Sequence, residues 1–222
     1  MCSICGAPSQ EYLCKKCEKK LKQIEAISNY TINPDNEILK QNQNLELEKS
    51  KEKETKYFDE HIYGFIYEGV IRKLILQYKF GHKPYIYRTF KTFFEKNEKL
   101  CLLLKKYDII VPVPISKKRL KNRGYNQSNL LAKELAKAFE LEYKSNALIK
   151  IIDNPRQSTL SQEQRILNAK NVYKVKENYK IINKKVLLVD DVFTTGATCN
   201  ECARVLKEAG AKEVGVFTIA KD

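Results

Sequence analysis

Apolar positions along the chain follow two rhythms. Short runs rich in β-branched and aromatic residues occur at Ile62 to Tyr67, Asp108 to Pro114, Ile149 to Ile152, Asn171 to Val175, Val186 to Val189 and Val214 to Ile219. These read as strands. Between them, apolar residues recur every three or four positions over Val70 to Tyr78, about Ile86 to Phe94, about Asn126 to Phe139, and from Thr198 to a stop at Gly210. These read as amphipathic helices. Strands alternating with helices predict an α/β fold whose parallel sheet is flanked by helices. Val186 to Val189 is four apolar residues without a polar break, as expected of a strand covered on both faces. Pro112 and Pro114 put the Asp108 strand at a strand end or loop entry. Cys199, Cys202, Ala203 and Leu206 fall at i, i+3, i+4 and i+7, so both thiols belong to a packing stripe rather than a redox or metal pair. Cys101, inside Leu100 to Leu104, reads the same way, and His61 and His82 read as surface or packing residues.

Two regions break this rhythm. From Lys40 to Lys56 the chain is polar, with five Lys against four Glu, which suggests a linker with helical tendency. Asn33 to Asn36 before it reads as a turn. The chain therefore divides into a module over residues 1–35, a charged linker over 36–56 and a main domain over 57–222. Asp153 to Leu167 is also polar, with Pro155, Ser158, Thr159 and Ser161, and reads as a loop between strands.

Length and charge narrow the class. A chain of 222 residues suits one sizeable domain plus a small module. No apolar run is long enough for a membrane span. Cys2 and Cys5 stand where a secretory leader would carry its charged and apolar regions, so the cytoplasm is the expected location. A net charge of +14 favours phosphorylated ligands or nucleic acid. In a reducing compartment, seven cysteines point to metal ligands or buried thiols rather than bridges. Cys2-x-x-Cys5 and Cys14-x-x-Cys17 each suit half of a tetrahedral four-cysteine site. Gly6 follows the first pair as a tight turn requires, and so short a segment needs a metal to fold. Zinc is the preferred ion, with an iron–sulfur cluster or bare thiols as alternatives.

The chemistry concentrates at the ends of two strands. Asp190 and Asp191 close the Val186 strand. Thr194, Thr195, Gly196, Ala197 and Thr198 then form a small-residue loop that leads directly into a helix. Ligands of open α/β sheets sit outside the carboxyl ends of strands. A glycine-containing turn at a helix start offers free N–H groups and a positive dipole end, which favour a phosphate. Acids one step before that cradle can accept hydrogen bonds from sugar hydroxyls, so a sugar phosphate is the first ligand to consider. The Asp108 strand is followed by a second candidate loop, where Lys117 to Arg123 holds five cations and no acid. Such a run is usually a solvated face. Here it leaves the same sheet edge as the phosphate loop.

The Val186 to Thr198 stretch resembles the loop that binds phosphoribosyl pyrophosphate (PRPP) in type I phosphoribosyltransferases. The resemblance implies that Asp190 and Asp191 hold the ribose hydroxyls and serve catalysis. It also implies that Thr194 to Thr198 hold the 5′-phosphate. The Val-Pro-Val-Pro run ending at Pro114, then Arg119 and Arg123 to Gln127, extends the likeness to the ComF family. Tyr67 to Gly69, Lys79-Phe80, and Arg156, Gln157, Leu160, Arg165 and Asn168 resemble further segments of that family. It carries an N-terminal Cys₄ element and is associated with DNA uptake in natural competence. By analogy Ser116, Lys117 and Arg119 would meet the pyrophosphate, Mg²⁺ would accompany PRPP, and a lid would occupy Asp153 to Leu167. Enzymes for 6-oxopurines place a further acid where this chain has Thr194, so the resemblance argues against a hypoxanthine or guanine acceptor. Phosphoribosyl transfer and single-stranded-DNA binding without turnover both remain open, as do contacts with competence-machinery proteins.

Overall fold

A computed structural model describes residues 1–10, 13–20, 55–153, 162–176 and 180–222, with the side chains of 162, 163, 165 and 166 left aside. The linker expected up to Lys56, the Asn33 turn, Arg156, Gln157 and Leu160 lie outside the described residues, save for Thr55 and Lys56. So does the side chain of Arg165.

The main sheet has five parallel strands: β1 (Glu60–Ile66), β2 (Ile109–Pro112), β3 (Glu142–Tyr143), β6 (Lys185–Phe193) and β7 (Glu213–Lys221). Their order across the sheet is β1-β7-β6-β2-β3. A small antiparallel pair, β4 (Leu148–Lys150) and β5 (Tyr173–Val175), stands apart. One face of the sheet is covered by α2 (Gly69–Phe80), α3 (Ile86–Glu95), α4 (Glu98–Leu104) and α6 (Gln127–Phe139). The other is covered by α8 (Ala197–Glu208), with α7 (Gln162–Ala169) and the β4–β5 pair against it. The short α1 (Lys15–Glu18) and α5 (Lys117–Arg123) complete the described elements.

The unbroken apolar run of β6 follows from this layering. Successive strand residues point to opposite faces. Leu187 and Val189 pack among α2, α3 and α6, while Val186 and Leu188 pack beneath α8. All four are fully buried. Transfer of four such side chains from water contributes roughly 1.5–3 kcal/mol each, before conformational entropy is set against it. The paired register runs on from Val189 against Phe217 through Asp190 against Thr218 to Phe193 against Lys221. The acids therefore lie within the extended strand instead of after it. Because strand residues alternate, the two carboxylates begin on opposite faces of the sheet.

Two stretches read as loops form helices. Ser116 caps α5 by accepting from the Arg119 N–H at 3.3 Å, and Gly124 closes it at φ +82°. Part of the polar region before Asn168 forms α7. Pro112 sits at the carboxyl end of β2, opposite Val189 on β6, where it marks the strand end expected of it. Cys2, Leu13 and Cys17 join the same apolar cluster as the α2–α3–α6 layer. The cysteine segment therefore packs with the main core. Among the described residues no helix is long and apolar enough to cross a membrane.

Candidate functional site

The carboxyl ends of β1, β2, β6 and β7 open into a cleft of about 470 Å³. Its floor holds Asp190 and Asp191. Thr194, Gly196 and Thr198 line one side with Lys150 and Tyr173; Arg119, Asn122 and Arg123 of α5 line a second. Tyr67, Lys79, Phe80 and His82 line a third.

Asp191 is 5% exposed and is held at both oxygens. Lys79 Nζ lies 2.7 Å from Oδ1, and Gln127 Nε2 donates to Oδ2. Gln127 Oε1 in turn accepts from Arg123 Nη1, and Tyr78 donates to the Gln127 carbonyl at 2.7 Å. Asp190 faces the cleft half-buried. Its Oδ1 accepts from Ser128 Oγ at 3.0 Å and from the Asp191 N–H at 2.8 Å. Burial and the neighbouring Asp191 charge push its carboxyl up to about 7, against the downward pull of Lys79. The start of α6 thus supplies a donor to each acid. Asn126 fixes that start by capping the Ser128 N–H at 3.1 Å and donating to the Val113 carbonyl at 3.0 Å.

The loop after β6 turns on Gly196, which caps α8 at φ +78°. A Cβ there would lie 2.4 Å from Phe193 Cζ, so both the backbone conformation and the space select glycine. Phe193 stacks on His61 at 3.9 Å between centroids. His61 bonds Thr218 Oγ1 at 2.9 Å, and burial followed by the Lys221 charge pushes its imidazole down to about 3. It is a neutral packing residue beneath the loop. Thr195 Oγ1 accepts from the Ala197 N–H at 3.4 Å, which shapes the turn.

Not every residue proposed from the sequence reaches the cleft wall. Asp190, Asp191, Thr194, Gly196, Thr198 and Arg119 line it, whereas Ser116, Lys117, Thr195 and Ala197 do not. Ser116 is buried as the α5 cap, and Lys117 is exposed on that helix.

The cysteine segment brings Cys2, Cys5, Cys14 and Cys17 together, with one sulfur from each within 4.8 Å of the others. Cys5 and Cys14 are 3.6 Å apart. A tetrahedral ion with metal–sulfur bonds of about 2.3 Å places its sulfurs roughly 3.8 Å apart, so the donor set fits a metal ion. Burial and the adjacent thiols push Cys17 up to about 12. Burial also raises Cys2, but the N–H groups of Cys5, Cys14 and Ile4 outweigh it and hold that thiol at about 6. Complete ionisation of this cluster near neutral pH therefore needs a cation. Cys199 and Cys202 are buried under the sheet, which pushes both thiols well up and leaves them inert.

Residues 126–222 match the family model described as the phosphoribosyl transferase domain. Over 153 residues the chain is 33% identical to Competence protein F of Haemophilus influenzae, covering 67% of this chain and 66% of that protein. It is 27% identical to Competence protein ComFC of Bacillus subtilis over 223 residues, covering 100% and 78% respectively. The chain belongs to the ComF/ComFC family. Its fold is that of a type I phosphoribosyltransferase with an N-terminal cysteine cluster able to hold a metal. DNA utilization protein YhgH of Escherichia coli is a further relative, 33% identical over 114 residues that cover 51% of this chain and 49% of that one. The ComF-family chain thus spans about half the length of the Escherichia relative and about two thirds of the Haemophilus one.

Several cleft residues of this ComF-family chain carried little signal in the sequence. Gln127 and Ser128 read as the start of an amphipathic helix, and nothing in that pattern says that each would hold an acid of β6. Lys79 stands in a segment that resembles the ComF family, but nothing in that segment says that it would pair with an acid of β6. Lys150 and Tyr173 come together only because β4 pairs with β5, where Lys150 Nζ lies 5.6 Å from the Tyr173 ring centroid.

Proposed function

We propose that this ComF-family chain binds PRPP in the cleft at the carboxyl end of β6. The observation that carries the reading is the Asp190–Asp191 pair, fixed beside a Gly196 turn that opens the 12-residue helix α8. The 5′-phosphate sits against the N–H groups of Thr195 to Thr198, with the Thr194 and Thr198 hydroxyls beside it. Asp190 accepts hydrogen bonds from the ribose hydroxyls. Asp191 shares that role or supports it through its bonds to Lys79 and Gln127. Arg119, which lines the cleft, meets the pyrophosphate; Ser116 supports it as the cap of α5, and Lys117 stands on the same turn outside the cleft wall. Mg²⁺ bound with PRPP would offset the leaving group's charge. Asp191 already has Lys79 at 2.7 Å, so the chain alone offers Mg²⁺ no uncompensated acid pair.

Phosphoribosyl transfer is the reaction this arrangement supports. The C1–O bond breaks and its electron pair leaves with pyrophosphate. A nitrogen lone pair forms the new C1–N bond, and a proton from an N–H acceptor passes to water. The chain's residues orient the ring and place negative charge near the developing cation. Incubation with Mg²⁺, PRPP and a panel of bases and amines should release pyrophosphate. Release no greater than that of an Asp190→Asn/Asp191→Asn protein would remove the transfer reading.

The four cysteines hold a structural zinc ion, work in competence fits the names of the relatives, and we place that work in the cytoplasm. A second reading, single-stranded-DNA binding, draws on the exposed cations Lys117, Lys118 and Lys121 of α5 and the net charge of +14. DNA affinity should fall steeply with salt and survive the double Asp substitution. Salt-insensitive or absent binding would remove this reading.

A further inference from the structure

Lys79 is the basic residue in the last turn of α2, a helix end that favours a cation. Packing fixes where it stands. Leu74, Ile75 and Tyr78 of the same helix are fully buried in the core cluster shared with α6. Tyr78 donates to the Gln127 carbonyl at 2.7 Å, which ties the end of α2 to the start of α6, where both acids of β6 find donors. From there Lys79 reaches the cleft wall, with Nζ 2.7 Å from Asp191 Oδ1. Its charge acts on Asp190 as well. Only 20% of the Lys79 side chain and 7% of that of Asp191 are exposed, so the pair is partly shielded from salt.

Two adjacent carboxylates that meet an anionic sugar phosphate repel it and each other unless a cation stands among them. A divalent ion is one solution, held by carboxylate oxygens together with water and phosphate. The acid oxygens here are mostly taken. Asp191 Oδ1 has Lys79 and Oδ2 has Gln127, while Asp190 Oδ1 accepts from Ser128 and from the Asp191 N–H. Among the described residues only Asp190 Oδ2 keeps no partner, and one oxygen beside an ammonium is a poor seat for a divalent ion. We infer that Lys79 is the resident cation of the acid pair: its ammonium takes the place that a divalent ion would fill at Asp190 and Asp191, so that the ribose phosphate part of the substrate binds without metal. Lys79 acts through Asp191, which it holds in place while Asp190 accepts from the ribose hydroxyls, and is therefore a positioning residue. This inference rests on the PRPP reading.

Two titrations of the full chain test this. In the first, Mn²⁺ is added without any ligand, and the free ion is followed by electron paramagnetic resonance. The wild-type curve should match that of the Asp190→Asn/Asp191→Asn protein. Lys79→Met should gain about one Mn²⁺ per chain, bound at least about tenfold more tightly than in wild type, and lose it when both acids are also changed to Asn. Lys79→Arg keeps the charge and should behave as wild type. In the second, ribose 5-phosphate is titrated by calorimetry with and without Mg²⁺, and PRPP with Mg²⁺. Wild-type affinity for ribose 5-phosphate should agree within about twofold between the two conditions. Lys79→Met should bind it at least about tenfold more weakly without Mg²⁺ and recover most of that loss with Mg²⁺. If PRPP binds, three results overturn the Lys79 assignment and leave the PRPP reading standing. Wild type takes up Mn²⁺ at the acids as tightly as Lys79→Met does; or it binds ribose 5-phosphate only with Mg²⁺ or not at all; or the loss in Lys79→Met is not restored by Mg²⁺, which marks an ordinary ion pair between α2 and β6. If PRPP does not bind, the PRPP reading falls and takes the ribose role of Lys79 with it.

Discussion

Asp190 and Asp191 have the same side chain and different environments, and a pH dependence follows. Asp191 is fixed by Lys79 of α2 and Gln127 of α6. Asp190 faces the cleft with Ser128 and the Asp191 charge as neighbours, and its carboxyl is pushed up to about 7 from an ordinary value near 3.8. Because the folded value is raised, the stability this group contributes is present below about pH 3.8 and is lost as pH rises through 7. Asp190→Asn should therefore be the more stable protein at pH 8 and indistinguishable at pH 4, as read from urea midpoints. PRPP affinity should move the other way, rising between pH 6 and pH 8, because sugar hydroxyls donate best to the ionised acid. An affinity flat across that range would count against Asp190 as the ribose ligand. Gly196→Ala tests the neighbouring turn. It forces a left-handed backbone on alanine, at roughly 1–2 kcal/mol, and drives a methyl into the Phe193 ring. We expect a lowered denaturation midpoint and weaker PRPP binding together.

At the scale of elements, the strands and long helices were legible because their apolar residues keep strict periods. The β6 run and the α8 stripe are the clearest cases, and both lie where the pattern put them. The same stripe predicts that Cys199 and Cys202 stay unreactive toward a thiol reagent in the native protein and react only on unfolding. Leu206→Ala, fully buried beside them, should cost about 2–5 kcal/mol in denaturant unfolding. Helix α5 was missed for a physical reason. Its seven residues include five cations and bury none of their side chains, so no hydrophobic period betrays it. Ser116 before it and Gly124 after it cap the helix, but so short a charged run has no apolar period for them to bound. Strand β3 is two residues long and is defined by its pairing with β2, which no local pattern encodes. The site divides similarly. The acids and the Gly196 turn lie close in sequence, whereas Lys79, Gln127 and Lys150 meet them only through packing of distant elements.

At the scale of the whole molecule, the cysteine segment and the cleft are separable in function and joined in stability. None of Cys2, Cys5, Cys14 and Cys17 lines the cleft, yet Cys2, Leu13 and Cys17 belong to the apolar cluster that packs α2, α3 and α6 onto the sheet. A metal that closes this segment therefore holds apolar surface of the main core, and metal binding is coupled to the folding of that layer. Metal analysis should find about one zinc per chain, and a Cys2→Ser protein should lose most of it. Stripping the ion with a strong chelator should lower the thermal midpoint of the whole chain, not merely release a tail. PRPP affinity measured well below that midpoint should change little, because α6, β6 and the Gly196 turn keep their own contacts. A chelated protein with an unchanged midpoint would mean that the segment folds apart from the core. A Cys2→Ser protein with full metal content would refute the four-sulfur site itself.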